Sequence, residues 1–533
     1  MKKKINIFYG LITSFLVIIA LSSCQKFLDR KPLTATLDDL NQGTLEAQSF
    51  NLYSTLRSYA GFSSLPWLDF NSIRDDDAQK GSSQTDGAEI NAEFETFQYT
   101  KNDWATNTYW NDHYTMINLA NKELYFADSL NATDDASLRN IGEAYFFRAY
   151  SFYELVKAYG EVPLINFYYT DPSAGIKPKA AVDDIYAQID ADLDSASKLL
   201  PLNWNDANGI SQFPGRLTSG AAKTLWAQTY MFRKQWDKAR TLCQDIIGSG
   251  QYSLIPKFYD VWKDGLNGAG KNSSGTGGNE SIFEMQATVG QNGTPYYGVA
   301  WGTCQQVRQG GASVAWNLGW GWNTPTQHLV SDWGNSDPRK NMTILYSGQF
   351  DGGASEGGFG ATLPPYNKDS LGKSNFLDQP YWNKKLYTGN DPAMRSYTGE
   401  INSSGAADWI NHRILRYADV LLMMAEASNE LGDGATAAAM LEEVRARARN
   451  SGTDQGALPV IIYTSQSQMR TAIKNERRWE FAMEGYRFYD LVRWGDASSA
   501  LGSLGYQPKN QYYPIPQPAI DLSGGVLVQN PNY

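Results

Sequence analysis

Apolar and small residues recur at offsets of three and four along most of the chain, the spacing that lays one apolar face on a helix. Val420, Met423, Met424 and Ala427 draw such a face, and 435–449 is a second run rich in Ala, Leu, Glu and Arg. Gly432 and Gly434 fall between them, where a helix end needs positive φ, so 417–449 reads as a helical hairpin. The same spacing predicts helices over 44–59, from Trp110 through Tyr114, Ile117 and Asn121, and over 141–159, 182–200, 221–232 and 236–247. In the last two, Ala222, Leu225, Ala227 and Tyr230 face Trp236, Ala239 and Leu242, the small-against-large alternation of tetratricopeptide hairpins. Hairpin-like pairs recur at 116–159, at 182–200 with 219–248, and at 417–449. The expected fold is mainly α: a tetratricopeptide-like helical scaffold with a large, irregular, loop-rich insert that carries the ligand site.

Glu476, Glu480 and Glu484 are spaced four apart, with Arg477, Arg478 and Arg487 within a turn of them. Such a row predicts a helix supported by local ion pairs, a structural role rather than a catalytic one. Two regions lack helical periodicity. In the loop 63–106, Trp67 and Trp104 flank Arg74-Asp75-Asp76-Asp77 and a Gly/Ser/Asp-rich segment. The three aspartates lack the alternating Asp spacing and glycine of a calcium loop, so a solvated acidic turn is expected and no metal site is assigned.

The second region, the insert 257–410, is the more informative. Between Tyr296 and Trp322 it holds Tyr296, Tyr297, Trp301, Trp316, Trp320 and Trp322 among glycines at 298, 302, 310, 311, 319 and 321. Glycine raises the entropic cost of ordering such a loop, which suits binding better than stability. A pyranose offers an apolar C–H face to an indole and hydroxyls to polar neighbours. Burying roughly 40 Å² of that face is worth about 1 kcal/mol. Several rings therefore favour weak binding of long glycan chains. Trp301, Trp320 and Trp322 are the expected platform, joined by Trp67 or Trp104, with Tyr296 and Trp316 as weaker members. Arg308, Gln305, Gln306 and Asn317 are the nearby donors and acceptors. The alternative use of any one ring is as a core that anchors the insert.

Composition agrees in part. Aromatics make up 13% of the 533 residues, with 16 Trp and 32 Tyr, and the net charge is −10. Nucleic acid is excluded as a partner, because phosphate binding needs clustered Lys and Arg. Met1-Lys2-Lys3-Lys4 and the apolar run 11–21 form a secretory signal too short to span a bilayer. Leu21-Ser22-Ser23-Cys24 follows as a lipoprotein processing box, so Cys24 is the expected lipid attachment point and acyl chains hold the protein to a membrane. Loss of Lys2, Lys3 and Lys4 takes the charge from −10 to −13. Only Cys243 and Cys304 then remain; a disulfide between them is open, though spacing does not favour it.

His113, His328 and His412 lack metal-ligand spacing, and no nucleophile elbow, zinc-protease motif or phosphate loop is present. Neither cofactor nor catalytic residue is assigned. A glycosidase needs only two carboxylates, and that reading stays open as an alternative.

Two blocks resemble the SusD-like (RagB/SusD) family of outer-membrane lipoproteins. One is Arg416-Tyr417-Ala418-Asp419-Val420-Leu421-Leu422 with Ala425-Glu426-Ala427 and Leu431-Gly432. The other, more specific, is Glu476-Arg477-Arg478, Glu480, Glu484-Gly485, Arg487, Asp490-Leu491 and Arg493-Trp494-Gly495. Tyr513-Pro514-Ile515-Pro516, Gln529-Asn530-Pro531, Tyr533, and near the start Phe27-Leu28-Asp29 and Pro32-Leu33-Thr34, are also similar to that family. The resemblance implies a cell-surface, outer-membrane protein that binds oligosaccharides, or in some members peptides, and delivers them to a SusC-like TonB-dependent transporter without catalysis. The expected organisation is a signal peptide at 1–23, an anchor and tether at 24–40, scaffold at 41–256 with the binding loop 63–106, insert at 257–410, and a C-terminal helical part at 411–533.

Overall fold

A computed structural model describes residues 45–83, 85–207, 209, 211–213, 215–262, 280–287, 300–309, 316–353, 356–370, 375–389 and 410–533. Its longer helices are α1 (Leu45–Ser58), α2 (Trp104–Ser129), α3 (Asp135–Tyr159), α4 (Val182–Leu199), α5 (Ser219–Phe232), α6 (Trp236–Gly248), α7 (Tyr417–Glu430), α8 (Gly434–Ser451), α9 (Gln466–Glu480) and α10 (Arg487–Trp494). The protein is mainly helical, as the periodicity requires. Side chains that accept the first free amides set the helix starts: Asp103 from Ala105, Asp134 from Ser137, Thr218 from Ala221, Asp433 from Thr436 and Ser465 from Gln468.

Each of α2 to α6 packs on its successor, and α7 packs on α6, α8 and α9, so one core runs through the stack. Its small members let helices approach: Ala144, Ala149, Ala221, Ala222, Ala227, Ala418 and Ala425 are all fully buried. Gly432 takes φ +83° at the end of α7, as its position predicts, whereas Gly434 opens α8 as an ordinary helical residue.

Short strands fasten the insert to this scaffold. β2 (Ser281–Met285) pairs antiparallel with β6 (His412–Arg416), leading straight into α7. β1 (Ala78–Gly81) pairs with β3 (Trp322–Pro325), and β4 (Ile344–Tyr346) with β5 (Tyr381–Asn383), both antiparallel; β3 and β5 lie side by side. A second small core of Val307, Trp316, Leu345, Leu363, Leu377, Trp382 and Tyr387 fills the insert.

Several expectations need correction. The helix through Glu476 stops at Glu480, and Glu484 sits in the turn beyond, where Met483 and Gly485 take φ +67° and +81°. The ion pairs are distant ones. Glu480 accepts from Arg416 (2.9 Å), Arg339 (3.2 Å) and Arg447; Glu476 pairs with Arg339 and Arg445, and Glu484 with Arg416 and Lys385. Arg477 turns instead to Asp419 and Asp490, and Arg478 to Asp77 and Asp332. A spacing of four puts Glu476 and Glu480 on one helix face, and that face is buried against other elements, so their partners have to come from those elements.

The aspartates of the 63–106 loop are not a solvated turn. Asp75, Asp76 and Asp77 are buried; Asp75 accepts the amides of Asp77 (2.7 Å) and Ala78 (2.8 Å), Arg487 binds Asp76 (2.8 Å), and Arg478 binds Asp77 (2.6 Å). Arg74 is fully buried beneath Phe488 and Tyr513. The C-terminal arginines supply the countercharge that lets this acidic stretch enter the core. Cys243 and Cys304 are both free and buried.

Candidate glycan-binding face

The structure divides the predicted aromatic platform. Trp301, on the short helix Ala300–Gln305, lies parallel to His412 with centroids 4.1 Å apart, and Trp67 meets both edge-on. Both indoles are buried, and Phe62, Leu415 and Met423 belong to the same core. Burial pushes His412 down to about 3, with Arg413 adding to the shift, so the imidazole in this stack is neutral. Trp316 is buried in the insert core, and Trp322 lies under Lys80, whose Nζ is 4.9 Å from its ring. In this conformation Trp67, Trp301, Trp316 and Trp322 are buried and present little ring surface to solvent, unlike the open platform expected of them. Trp67, Trp301 and Trp322 belong to the main core and Trp316 to that of the insert.

Trp320 is only partly buried, and Trp104 is 44% exposed at the start of α2. Among the described residues no ring pairing joins Trp104 to the other predicted rings. Tyr296 and Cys24 lie outside the described residues. Gln305 and Gln306 are interior; Gln305 accepts from Asn323 (2.7 Å) and Asn383 (3.0 Å), tying β3 to β5. Asn317 is exposed.

What the strands do bring together is a polar cluster beside the partly open Trp320. At its centre is Arg308, which donates to Asp86 (2.5 Å), the Trp320 carbonyl (3.3 Å) and Ser82, and lies 3.4 Å from Asp378. Gln379 donates to the Ser82 carbonyl (2.7 Å) and accepts from Gln79 (3.3 Å), which reaches Thr324 of β3 as well (3.3 Å). Lys80 donates to the carbonyls of Ser83 (2.9 Å) and Asp86 (2.8 Å), closing the loop after β1. Gly81, at φ +71°, makes the turn: a Cβ there would lie 2.4 Å from the Gly321 carbonyl. On β4 and β5, Tyr346 and Tyr381 are half-buried, edge to face at 5.6 Å, and Tyr381 donates to the exposed Gln327 (2.7 Å).

Burial favours the neutral acid at Asp86, yet hydrogen bonds from Ser82 and Arg308 outweigh it and hold the carboxyl below its usual value. A carboxylate held ionised by an arginine accepts hydrogen bonds but is a poor proton donor. The chemistry this face offers is ring stacking plus fixed amide, hydroxyl and carboxylate partners.

Sequence reasoning missed Lys80, Asp86, Gln379, Tyr346 and Tyr381. A signal for the tyrosines existed: 344–346 and 381–383 are short β-branched or aromatic runs in which buried Leu345 and Trp382 adjoin half-open tyrosines, the period-two pattern of strands. For a cation, the described residues place ligand atoms of Asp76, Asp77 and His328 within 4.8 Å of one another. Arg487 and Arg478 already neutralise those two carboxylates, so the donor set does not need a metal ion.

Comparison with known proteins matches this architecture at both ends. A family model described as the SusD family matches residues 279–533, and one described as starch-binding associating with outer membrane matches residues 26–231. The chain belongs to the SusD-like family. SusD-like protein P2 of Formosa agariphila is 26% identical over 473 residues, covering 86% of this chain and 87% of that protein. Among solved structures, a laminarin-binding SusD-like protein is 26% identical with TM-score 0.69, covering 92% of this chain and 99% of its own. Surface glycan-binding protein A from Bacteroides thetaiotaomicron, in complex with laminarihexaose, is 23% identical with TM-score 0.70 over 92% and 99%; at that identity it shows the SusD-like fold alone. The SusD-like signature residues are those that build the Arg416–Glu480 ion cluster and the Arg477–Asp419 and Arg493–Glu426 pairs, so the family motif is a folding motif.

Proposed function

We propose that this SusD-like protein is a non-catalytic, lipid-anchored glycan-binding protein that captures oligosaccharides at the cell surface and passes them to a TonB-dependent transporter. The observation that carries the reading is the face on β1, β3, β4 and β5. There Trp320 is partly open beside hydrogen-bonding groups fixed by one another, and β4 and β5 carry the partly open Tyr346 and Tyr381, the latter bonded to Gln327. Preset partners reduce the ordering cost of binding, which matters when each stacked ring contributes only about 1 kcal/mol. The laminarin-binding relative and the family's starch-binding description support a glucan among the ligands.

The remaining parts of the reading follow from the sequence. Cys24 carries the acyl chains, and anchoring raises the effective concentration of the protein over its neighbour, so a modest interface stays engaged. A face of the helical scaffold meets the transporter, leaving the aromatic face toward the barrel mouth. The acidic chain repels anionic lipid headgroups, which favours specific protein contact over a general electrostatic grip.

A glycan array probed with the purified protein tests the ligand class, followed by incubation with the retained glycan and an assay for new reducing ends. Retention without release of reducing ends is expected. Steady turnover abolished by one carboxylate substitution contradicts the non-catalytic reading.

A further inference from the structure

A second cluster of open aromatic rings lies on the scaffold, on none of the strands β1, β3, β4 or β5. Phe50 is on the side of α1 away from its buried residues Leu45, Ser49, Leu52 and Leu56, and it is 47% exposed. Phe213, in the connection between α4 and α5, is 43% exposed, and Trp204 of the same connection meets it edge-on at 5.3 Å. Trp204 is pinned by its indole N–H to the Leu217 carbonyl (2.8 Å).

The three rings surround one guanidinium. Arg216 lies 4.4 Å from the Trp204 ring and 5.4 Å from both Phe50 and Phe213. It is itself immobilised by two hydrogen bonds to Glu143 (2.9 and 2.7 Å) and one to Asn140 (2.8 Å). Beside it opens a cavity of about 260 Å³ bounded by Phe50, Tyr53, Arg57, Arg216, Glu284 and Gln286. Gln286 is fixed by its bond to Glu284 (2.6 Å), and Gly215 at φ +85° lets the loop press against it, since a Cβ there would lie 2.4 Å from the Gln286 Cγ. Open rings beside a preorganised polar well contribute little to folding, since their apolar area stays in water. They meet the needs of a ligand that is apolar on one face and hydroxylated at its rim.

We infer that this cavity is a second carbohydrate subsite, which takes one hexopyranose unit of a glycan independently of the strand-built face. The inference rests on the glycan-binding reading above and extends it: two weak sites on one molecule hold a long polymer more firmly than a short oligomer.

The test is hydrogen exchange of the full chain with and without laminarihexaose, in the wild type, Phe50→Ala and Tyr381→Ala, with laminarin retention on affinity gels alongside. The expected result is slowed exchange of 201–217 in the wild type and in Tyr381→Ala, lost in Phe50→Ala, whose melting temperature stays near that of the wild type. Phe50→Ala also weakens retention by laminarin several-fold while leaving ligand protection around Tyr381 intact. Protection confined to the strand-built face, and retention unaffected by Phe50→Ala, overturns the second subsite and leaves the first reading standing. No protection anywhere in the wild type overturns both.

Discussion

Replacing Glu480 by Gln tests whether the family signature is a folding device. Glu480 is fully buried and accepts from three guanidinium groups, those of Arg416, Arg339 and Arg447. Burial on its own raises a carboxyl's pKa, but Arg447, Arg416 and Arg339 outweigh it and take this group from 4.5 down to about 2. Each pKa unit corresponds to about 1.4 kcal/mol, so the charged form is favoured by on the order of 3 kcal/mol. That agrees with the roughly 3–5 kcal/mol lost when one partner of a buried ion pair is removed. The folded pKa lies below the unfolded one, so the unfolded chain binds more protons in the interval. The contribution is complete above about pH 4.5 and is lost as pH falls toward about 2. Because unfolding entropy scales with length at about 2 cal/mol/K per residue, a cooperative unit of this size should lose only about 1 °C per kcal/mol. Calorimetry should therefore show Glu480→Gln melting about 3–5 °C lower at pH 7, with the gap to wild type closing in acid. Equal melting at pH 7, or a gap that stays constant down to acid pH, would refute the argument.

Other substitutions separate anchoring rings from binding rings. Trp301→Ala removes an indole stacked on His412 in the core and should cost about 3–5 kcal/mol, read as a lowered urea midpoint. Trp320→Ala should leave that midpoint within about 1 kcal/mol, because its ring is only partly buried, and should weaken glycan binding instead. Cys24→Ala should fold normally yet leave the membrane fraction when the transporter is absent, since acyl chains on Cys24 are the expected anchor. Mild-detergent purification of the tagged protein from its own membrane should bring down an outer-membrane barrel; recovery alone across several detergents would defeat the delivery model.

The helical scaffold could be read from the chain because its information is local. Ala, Leu and Met at offsets of three and four, with Asp, Ser or Thr at the starts, write a helix whatever it packs against. The partners of the ion cluster were not legible, since Glu480 meets Arg339 and Arg416 from distant segments and nothing in the neighbouring residues reports that contact. Composition could also not say which tryptophans are open. Trp301 and Trp320 sit in the same Gly-rich run, yet one lies against His412 and the other lies partly open beside Arg308. Burial in a loop is decided by what other segments lay over it, and here His412 of β6 and Trp67 of the early loop do so. The Asp75–Asp77 stretch misled for the same reason: its arginine partners are at 478 and 487.

The measurement closest to the central claim is a calorimetric titration of laminarihexaose into the wild type and into Tyr381→Ala. Tyr381 is half-buried on β5, at the edge of the small core of Leu329 and Trp333 and with its hydroxyl bound to Gln327, so its loss removes a ring face from the proposed site. Binding in the wild type, weakened by roughly 1–3 kcal/mol in Tyr381→Ala with unchanged melting temperature, is the predicted result. Binding of equal strength in both proteins would contradict the placement of the glycan on this face.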